Sequence, residues 1–406
     1  MRILVVGAGG VGAAIVEIAR RREFFDRLVI ADLDPDRARR AVAPHSDDRR
    51  LEAAAVDASS ADTVAALARD VGATVVVNAA DPRLNPPIFD GALAAGCDYL
   101  DMAMHLSEPH PERPYELPGR KLGDAQFEVA DRWEAAGRLA LVGMGVEPGL
   151  SDVFARYAAD HLFGELDEVA VRDGANLEVE GYDFAPTFSI WTTIEECLNP
   201  PLVWEADRGW YTTEPFSDPE VFEFPAGIGP VTCVNVEHEE VVLVPRYLRC
   251  RKVTFKYGLG DDFIEVLQTL HRLGLDRTEP VRVRGVEVAP RDVVAAVLPD
   301  PATLGERMHG VTCAGTYVTG TGTDGTPRAT YLYHALDNDW CMRTHGHQAV
   351  VWQTAVNPVV ALELLASGVW SGAGVQGPEA FDAVPFLELF NEHGSPWAIE
   401  ERPAAG

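Results

Sequence analysis

Lysine is nearly missing from this chain. Its 406 residues include only Lys121, Lys252 and Lys256, which leaves few candidates for Schiff-base or lysine-as-base chemistry. Positive charge as a whole is short. Against 34 Lys and Arg stand 63 Asp and Glu, a net charge of −29, which argues against nucleic acid or an anionic membrane as a partner. An acid surplus suits a cationic substrate such as an amine, although acidic surfaces also serve solubility. Cysteine is sparse and unpatterned: Cys97, Cys197, Cys233, Cys250, Cys313 and Cys341 contain no C-x-x-C. Neither a zinc cage nor a disulfide framework is indicated, and the reading is of reduced, mostly buried thiols in a cytoplasmic protein. No apolar run approaches the roughly 20 residues of a membrane helix. With 47% apolar and 24% charged residues, the composition is that of a globular protein of two or three domains.

What the chain does have begins at once. An apolar run over residues 2–6 enters the turn Gly7-x-Gly9-Gly10-Val11-Gly12, and a second strand ends in Asp32, 20 residues beyond Gly12. A glycine-rich turn between strand and helix, with an acid at that distance, is the dinucleotide-binding fingerprint. Gly7 permits the tight turn, Gly9 lets the backbone approach a pyrophosphate, and Gly12 lets helix and strand pack closely. The helix N-terminus offers free N–H groups and a positive dipole end to the phosphates. Asp32 can accept from both ribose hydroxyls and repels a 2′-phosphate, which favours NAD over NADP; Arg37, Arg39 and Arg40 can soften that preference. A secretory signal is not expected from this run, which is broken by glycines and followed by charged residues 20–23.

The first 148 residues read as a doubly wound parallel sheet. Strands are expected over 2–7, 27–32, 51–57, 74–79, 98–102 and 139–144. Helices are expected near 10–22, 36–43, 61–71, 86–96 and 125–137, with 104–120 as an inserted proline-rich loop. Residues 149–342 read as an α+β substrate and dimerisation domain on a largely antiparallel sheet. It includes a helix over 151–162, the alternating run 281–288, helices near 260–273 and 291–297, and a hairpin over 311–335. Residues 343–406 are expected to be helices that return to the nucleotide domain, kinked or broken at Pro358.

Several segments resemble one family along nearly the whole chain. They are the glycine turn, Val77-Asn78, the stretch Ala95 to Asp101, Gly143 to Phe154 with its Glu147-Pro148-Gly149, Val297 to Glu306, Gly346 to Ala349, and Gly394 to Trp397. The chain is similar to the saccharopine-reductase-like enzymes, and within them to the carboxynorspermidine (carboxyspermidine) dehydrogenases of polyamine synthesis. The resemblance implies a homodimer that exchanges hydride between nicotinamide and a carbon–nitrogen bond, reducing the imine of an aldehyde and a diamine. It also implies groups that shuttle protons and charges that hold carboxylate and ammonium ends. Two departures stand out. Where the polyamine members carry a Ser-Arg-Thr-like segment suited to NADP, this chain has Ala31-Asp32-Leu33-Asp34. Where they carry Asp-Pro-Gly, it has Glu147-Pro148-Gly149, a carboxylate one methylene longer. The NAD-type acid also fits lysine 6-dehydrogenases or other opine-type enzymes, and homospermidine-synthase-like transferases that keep NAD bound.

Glu147, beyond a strand's carboxyl end and before a Pro-Gly turn, leads the candidates for acid/base work or ammonium binding, with an N-cap role as the alternative. Asp101 at the end of the fifth strand is the second catalytic candidate; a ribose or helix-cap contact is equally open. Asp57 is expected near the adenine, and Asn78 and Ala79 near the nicotinamide. Asp173 is a substrate candidate at the end of the second domain's first strand, against the alternative of an exposed loop acid. Arg343, which can pair with a carboxylate bidentately, lies with His345 and His347 in the re-entry segment. His345-Gly-His347 lacks a third ligand at a recognisable spacing, so no metal is assigned. His105 and His110 read as solvated loop residues. Trp191 and Phe188 are aromatic candidates for walling an aliphatic amine, with core packing as the default. If Asp32 sets cofactor choice, Asp32→Ser shifts the ratio of NAD to NADP efficiency towards NADP; an unaltered kcat/KM ratio would mean that the neighbouring arginines dominate.

Overall fold

The apolar runs near the N-terminus are buried on both faces, as strands of a helix-covered parallel sheet must be. The computed structural model describes residues 1–394 and 396–404; Ser395, within the Gly394 to Trp397 segment, lies outside the described residues. Strands β1 (Arg2–Val6), β2 (Arg27–Asp32), β3 (Leu51–Ala55), β4 (Val75–Asn78), β5 (Asp98–Asp101) and β6 (Leu139–Leu141) alternate with helices α1 (Gly10–Ala19), α2 (Pro35–Val42), α3 (Ala61–Asp70) and α4 (Asn85–Ala95). The helix expected over 125–137 is split into α5 (Asp124–Phe127) and α6 (Ala130–Ala135), interrupted at Val129, where φ is −110° and ψ is 16°. All six strands run parallel in the order β6-β5-β4-β1-β2-β3. The winding reverses between β1 and β4, and the crevice beyond their carboxyl ends is where such sheets take ligands.

The glycine turn fits that crevice closely. Gly7 has φ 107°, and a Cβ on it would lie 2.4 Å from the Ala79 carbonyl oxygen. A Cβ on Gly12 would lie 2.0 Å from the Gly7 carbonyl. Gly9 faces open space, and no side chain caps α1.

Helix α7 (Leu150–His161) leads into the second sheet. Its members are β7 (Phe163–Ala175) and, beyond β8 (Glu178–Val179) and α8 (Ile190–Leu198), β9 (Leu202–Glu205), β10 (Gly209–Thr212), β11 (Glu220–Phe224) and β12 (Gly229–Asn235). Helix α9 (Glu240–Tyr247) precedes β13 (Cys250–Gly258). Next come α10 (Asp261–Leu273), β14 (Val281–Val283), β15 (Val286–Val288), α11 (Pro290–Val297) and β16 (Met308–His309), then the long hairpin β17 (Val311–Gly322) and β18 (Pro327–Asp337). Only β7 and β13 pair in parallel; the other pairings are antiparallel. The alternating run at 281–288 does not join this sheet. It forms the separate hairpin β14–β15, whose valines stay largely exposed because neither face meets a core.

The tail holds α12 (Asn338–His345), α13 (Ala349–Ser367), β19 (Gly374–Gln376), α14 (Ala383–Glu392) and β20 (Ala398–Arg402). Helix α13 packs on α1, and β19 extends the first sheet beside β6, but β20 crosses to pair with β18 of the second sheet. Helix α13 runs unbroken through Pro358. By length and composition it could cross a membrane, yet most of it is buried, as a core helix between the two sheets. One continuous apolar core joins both sheets.

The two glycines make a paired prediction. Gly12→Val lowers Tm, because the new side chain collides with backbone, whereas Gly9→Val leaves Tm in place and abolishes dinucleotide binding by titration. Retained affinity in Gly9→Val would contradict this assignment of the turn.

Candidate active site

A cleft of about 1590 Å³ opens between the two sheets. Single-ligand pockets run to about 1,000 Å³, so there is room for a dinucleotide and a second molecule. Gly7, Gly9, Gly10 and Val11 line one part with Asp32, Asp57, Asn78 and Ala79; Gly12 lies behind, against Gly7. Asp32 Oδ2 accepts Ala8 N at 2.9 Å and Oδ1 accepts Asp34 N at 2.9 Å, which aims the carboxylate across the end of β2. Of the three arginines, only Arg37 lines the cleft; Arg39 pairs with Asp36 and Arg40 leans towards Asp34. Asp57 is held by Ser59 N and Oγ. The Asn78 amide is engaged locally, donating to Asn85 and to Tyr99 Oη and accepting Ala80 N. The open volume at Gly9, the uncapped α1 and the unpartnered Oε1 of Gln348 in the cleft wall all fit a bound nicotinamide dinucleotide.

The other part of the cleft is acidic. Twelve Asp and Glu side chains line the whole cavity against Arg37 and His238. Glu147, in the loop after β6, faces Asp173 near the end of β7, and the two carboxyl groups hydrogen-bond each other through a shared proton. Burial, then Asp173, drives Glu147 well above the ordinary carboxylate range, and its Oε2 has no other partner. Burial raises Asp173 too, but Glu147, Tyr257 and His238 restrain the rise. Of the two, Glu147 is pushed further towards its neutral form, and Asp173 is held closer to its charged one. Glu196 of α8, pushed up to about 8 by burial, lines the same floor. His238 stacks on Phe255 with centroids 3.8 Å apart and meets Glu240 at 2.6 Å. Burial works against its charge, but Glu240, Glu239 and Glu196 outweigh burial and raise it to about 10, an imidazolium at neutral pH.

The structure brings Glu147 and Asp173 together and sets other candidates elsewhere. Asp101 is buried outside the cleft: Oδ1 accepts Gly143 N and Oδ2 accepts Gln126 Nε2, both at 2.7 Å, so it braces the loop after β6. Arg343 is exposed on α12 and does not line the cleft. His345 stacks on Trp352 at 3.6 Å, packed rather than presented to a ligand. Trp191 is clamped between Arg83 and Arg291, 4.0 and 4.6 Å from its ring, while Phe188 does line the cleft. His105 is buried against Phe89 instead of solvated, and His110 is a half-buried turn acceptor. Sequence reasoning missed Glu196, His238, Tyr257 and Gln348. The run Glu237-His238-Glu239-Glu240, a histidine among acids, was the one available signal. Within the trio His238, Glu239 and Glu240, whose ligand atoms lie within 4.8 Å of one another, His238 is paired with Glu240, and Glu239 accepts Met104 N.

Residues 3–141 match the saccharopine dehydrogenase NADP binding domain, and residues 145–395 match the saccharopine dehydrogenase C-terminal domain. A carboxynorspermidine synthase of Vibrio alginolyticus is 30% identical, over 99% of this chain and 97% of its own. A carboxyaminopropylagmatine dehydrogenase of Synechocystis is 30% identical over 98% of this chain and 96% of its own. The fold is shared with the saccharopine dehydrogenase (L-Glu forming) of Saccharomyces cerevisiae, with a TM-score of 0.71 at 13% identity over 99% of this chain and 100% of that one.

The buried acids give pH dependence a definite sign. Burial pushes Asp101, Glu237 and Glu379 up to about 7, as it does Glu196 to about 8. Their folded-state values exceed the unfolded ones, so stability is whole below the unfolded carboxylate range and is lost as pH rises to about 8. His238, raised to about 10, acts the same way from its unfolded value upwards. His105, lowered to about 4 by burial, acts in the opposite sense as pH falls below the ordinary histidine range. Four raised acids against one lowered histidine place the highest Tm near about pH 4.5, at the unfolded carboxylate range, with a fall towards about pH 8.5. A melting series that is flat or rising over that window would contradict the buried cluster.

Proposed function

The chain belongs to the saccharopine dehydrogenase family, and from that premise we propose an NAD(P)-dependent oxidoreductase acting on C–N bonds, which reduces the imine of an aldehyde and a diamine-type amine in polyamine synthesis. The observation that carries the substrate reading is the acid-lined cleft with the proton-sharing Glu147–Asp173 pair at its floor. A diammonium substrate satisfies these carboxylates, whereas a second anion would not. The named relatives do not favour the lysine-oxidising or hydride-recycling alternatives.

The glycine turn and α1 would hold the pyrophosphate, Asp32 the ribose hydroxyls, and Asn78, Ala79 and Gln348 the nicotinamide end. When bound, the dinucleotide supplies the hydride. The protein's own residues do the rest. Asp173 takes a proton from the attacking ammonium, which frees the amine for addition to the aldehyde. Glu147 gives its proton to the carbinolamine oxygen, which leaves as water. His238 and Tyr257 keep Asp173 ionised and in place. Acids at the mouth, Asp261, Asp262 and Asp300, lie where a second ammonium would extend. Asp32 supports NAD over NADP, six free cysteines support a reducing, cytoplasmic setting, and the resemblance supports a homodimer, which light scattering tests.

Purified protein should oxidise NADH or NADPH only when an aldehyde such as aspartate semialdehyde and a diamine such as putrescine or diaminopropane are both present. Glu147→Gln should lower kcat/KM by about 10²–10⁴-fold and leave dinucleotide affinity unchanged. NADH formation from lysine and NAD, with silence in the reductive arm, would overturn the reading.

A further inference from the structure

Behind the cleft lies a second set of buried acids that the mechanism above does not use. His238 Nδ1 meets one oxygen of Glu240, and the other oxygen of Glu240 accepts Ser151 Oγ at 2.7 Å. Asp152, next on α7, is 0% exposed; Oδ2 accepts Gly149 N at 2.8 Å and Oδ1 has no partner. Against it sits Glu379, also 0% exposed, with neither oxygen partnered. The charged and titratable groups around the pair are Glu240 and Tyr247 of α9 and Arg156 of α7. Arg156 is itself committed to Asp160, and Tyr247 Oη accepts Gly377 N. Among the described residues no cation forms an ion pair with either acid. Two such carboxyl groups can lie together only by sharing a proton. Burial, then Glu379 and Glu240, drives Asp152 well above the ordinary range, and burial takes Glu379 to about 7.

The proposed reaction, on which this inference rests, creates a demand that the pair can meet. Aldehyde, ammonium, reduced nicotinamide and one proton yield secondary ammonium, oxidised nicotinamide and water. The Glu147–Asp173 pair starts with one proton and gains one from the ammonium. It gives one to the departing hydroxyl and one to the newly formed neutral amine. It therefore ends with two carboxylates side by side, a state that like-charge repulsion disfavours, and one proton must enter before the next turnover can begin.

We propose that Asp152 and Glu379 hold this proton in reserve and return it to the Glu147–Asp173 pair by way of Glu240 and His238. The His238 imidazolium gives a proton to the carboxylate pair, and a carboxyl O–H of the reserve breaks as the proton passes to Glu240 and restores the imidazolium. The reserve refills from solvent between turnovers beside Ala380, which is exposed next to Glu379. Asp152 and Glu379 act through His238 and are positioning residues in this scheme.

Glu379→Gln removes the reserve and keeps the side-chain shape, and Asp152→Asn is its companion should the first variant fold poorly. Independently of turnover, the infrared difference spectrum between the unaltered protein and either variant at neutral pH should contain the carbonyl stretch of a protonated carboxyl group. Its absence overturns the inference, whatever the substrate. In stopped flow with aldehyde and diamine, the first turnover of the variant should match that of the unaltered enzyme. Later turnovers should be roughly tenfold slower and be restored by a small diffusible acid. A first turnover slowed in proportion, or unslowed later turnovers, would assign the pair a merely structural part. If the unaltered enzyme does not turn over at all, the functional reading fails, and the infrared result alone decides whether the pair stores a proton.

Discussion

Two carboxyl groups buried in contact cannot both carry charge, and the rest of the structure depends on this constraint at Glu147 and Asp173. At roughly 4 Å and an effective dielectric near 20, two like charges repel by about 4 kcal/mol, or about three pK units. One proton is therefore retained at neutral pH, and a cation brought between the groups relieves the repulsion. The pair exists only because the two sheets dock. Glu147 hangs beyond β6 of the parallel sheet, Asp173 stands on β7 of the mixed one, and α7 joins them. A carboxyl poised to give a proton and a neighbour poised to take one thus meet where a dinucleotide crevice meets an acid-lined cavity.

Strand alternation explains why the cavity holds so little positive charge. Arg172 and Lys256 flank Asp173 and Tyr257 in the paired strands β7 and β13. Successive side chains on a strand point to opposite faces. Both cations are buried on the far face, where Arg172 meets Glu220 and Lys256 meets Glu220 and Asp218. Asp173 and Tyr257 are left to face the cleft. With lysine so scarce, that arrangement leaves His238 as the cation of the cavity floor, and its charge is held by acids behind it.

Much of the nucleotide half was legible because its physics is local. The glycine turn, the acid ending β2 and the buried β-branched runs each have a short-range cause. Glu147 was legible for the same reason, as an acid at the end of a strand before a Pro-Gly turn. Asp101 satisfied the same rule, yet its carboxylate is consumed by Gly143 N and Gln126, partners that only the fold reveals. Arg343 and His345 were chosen for proximity to the re-entry point, but Gly346 ends α12, and it is Gln348 beyond it that reaches the cleft. Glu196, His238 and Tyr257 come from a helix, a loop and a strand far apart in the chain. No spacing rule joins them, and only docking of the second sheet does. Hairpin 281–288 alternated correctly but had no face to bury, a fact of tertiary context rather than of pattern.

The central claim is that the cleft floor keeps its own proton, on Glu147, while a cationic substrate binds and gives a second to Asp173. The direct measurement is calorimetric titration of diaminopropane into the dinucleotide-loaded protein, without aldehyde, in neutral buffers of different ionisation enthalpy. The slope of binding enthalpy against buffer enthalpy counts protons exchanged. The slope should be near zero, because the ammonium proton passes to Asp173 within the site and Glu147 keeps its own. Release of about one proton per site on diamine binding would mean that the ammonium displaces the Glu147 proton, and would contradict the account.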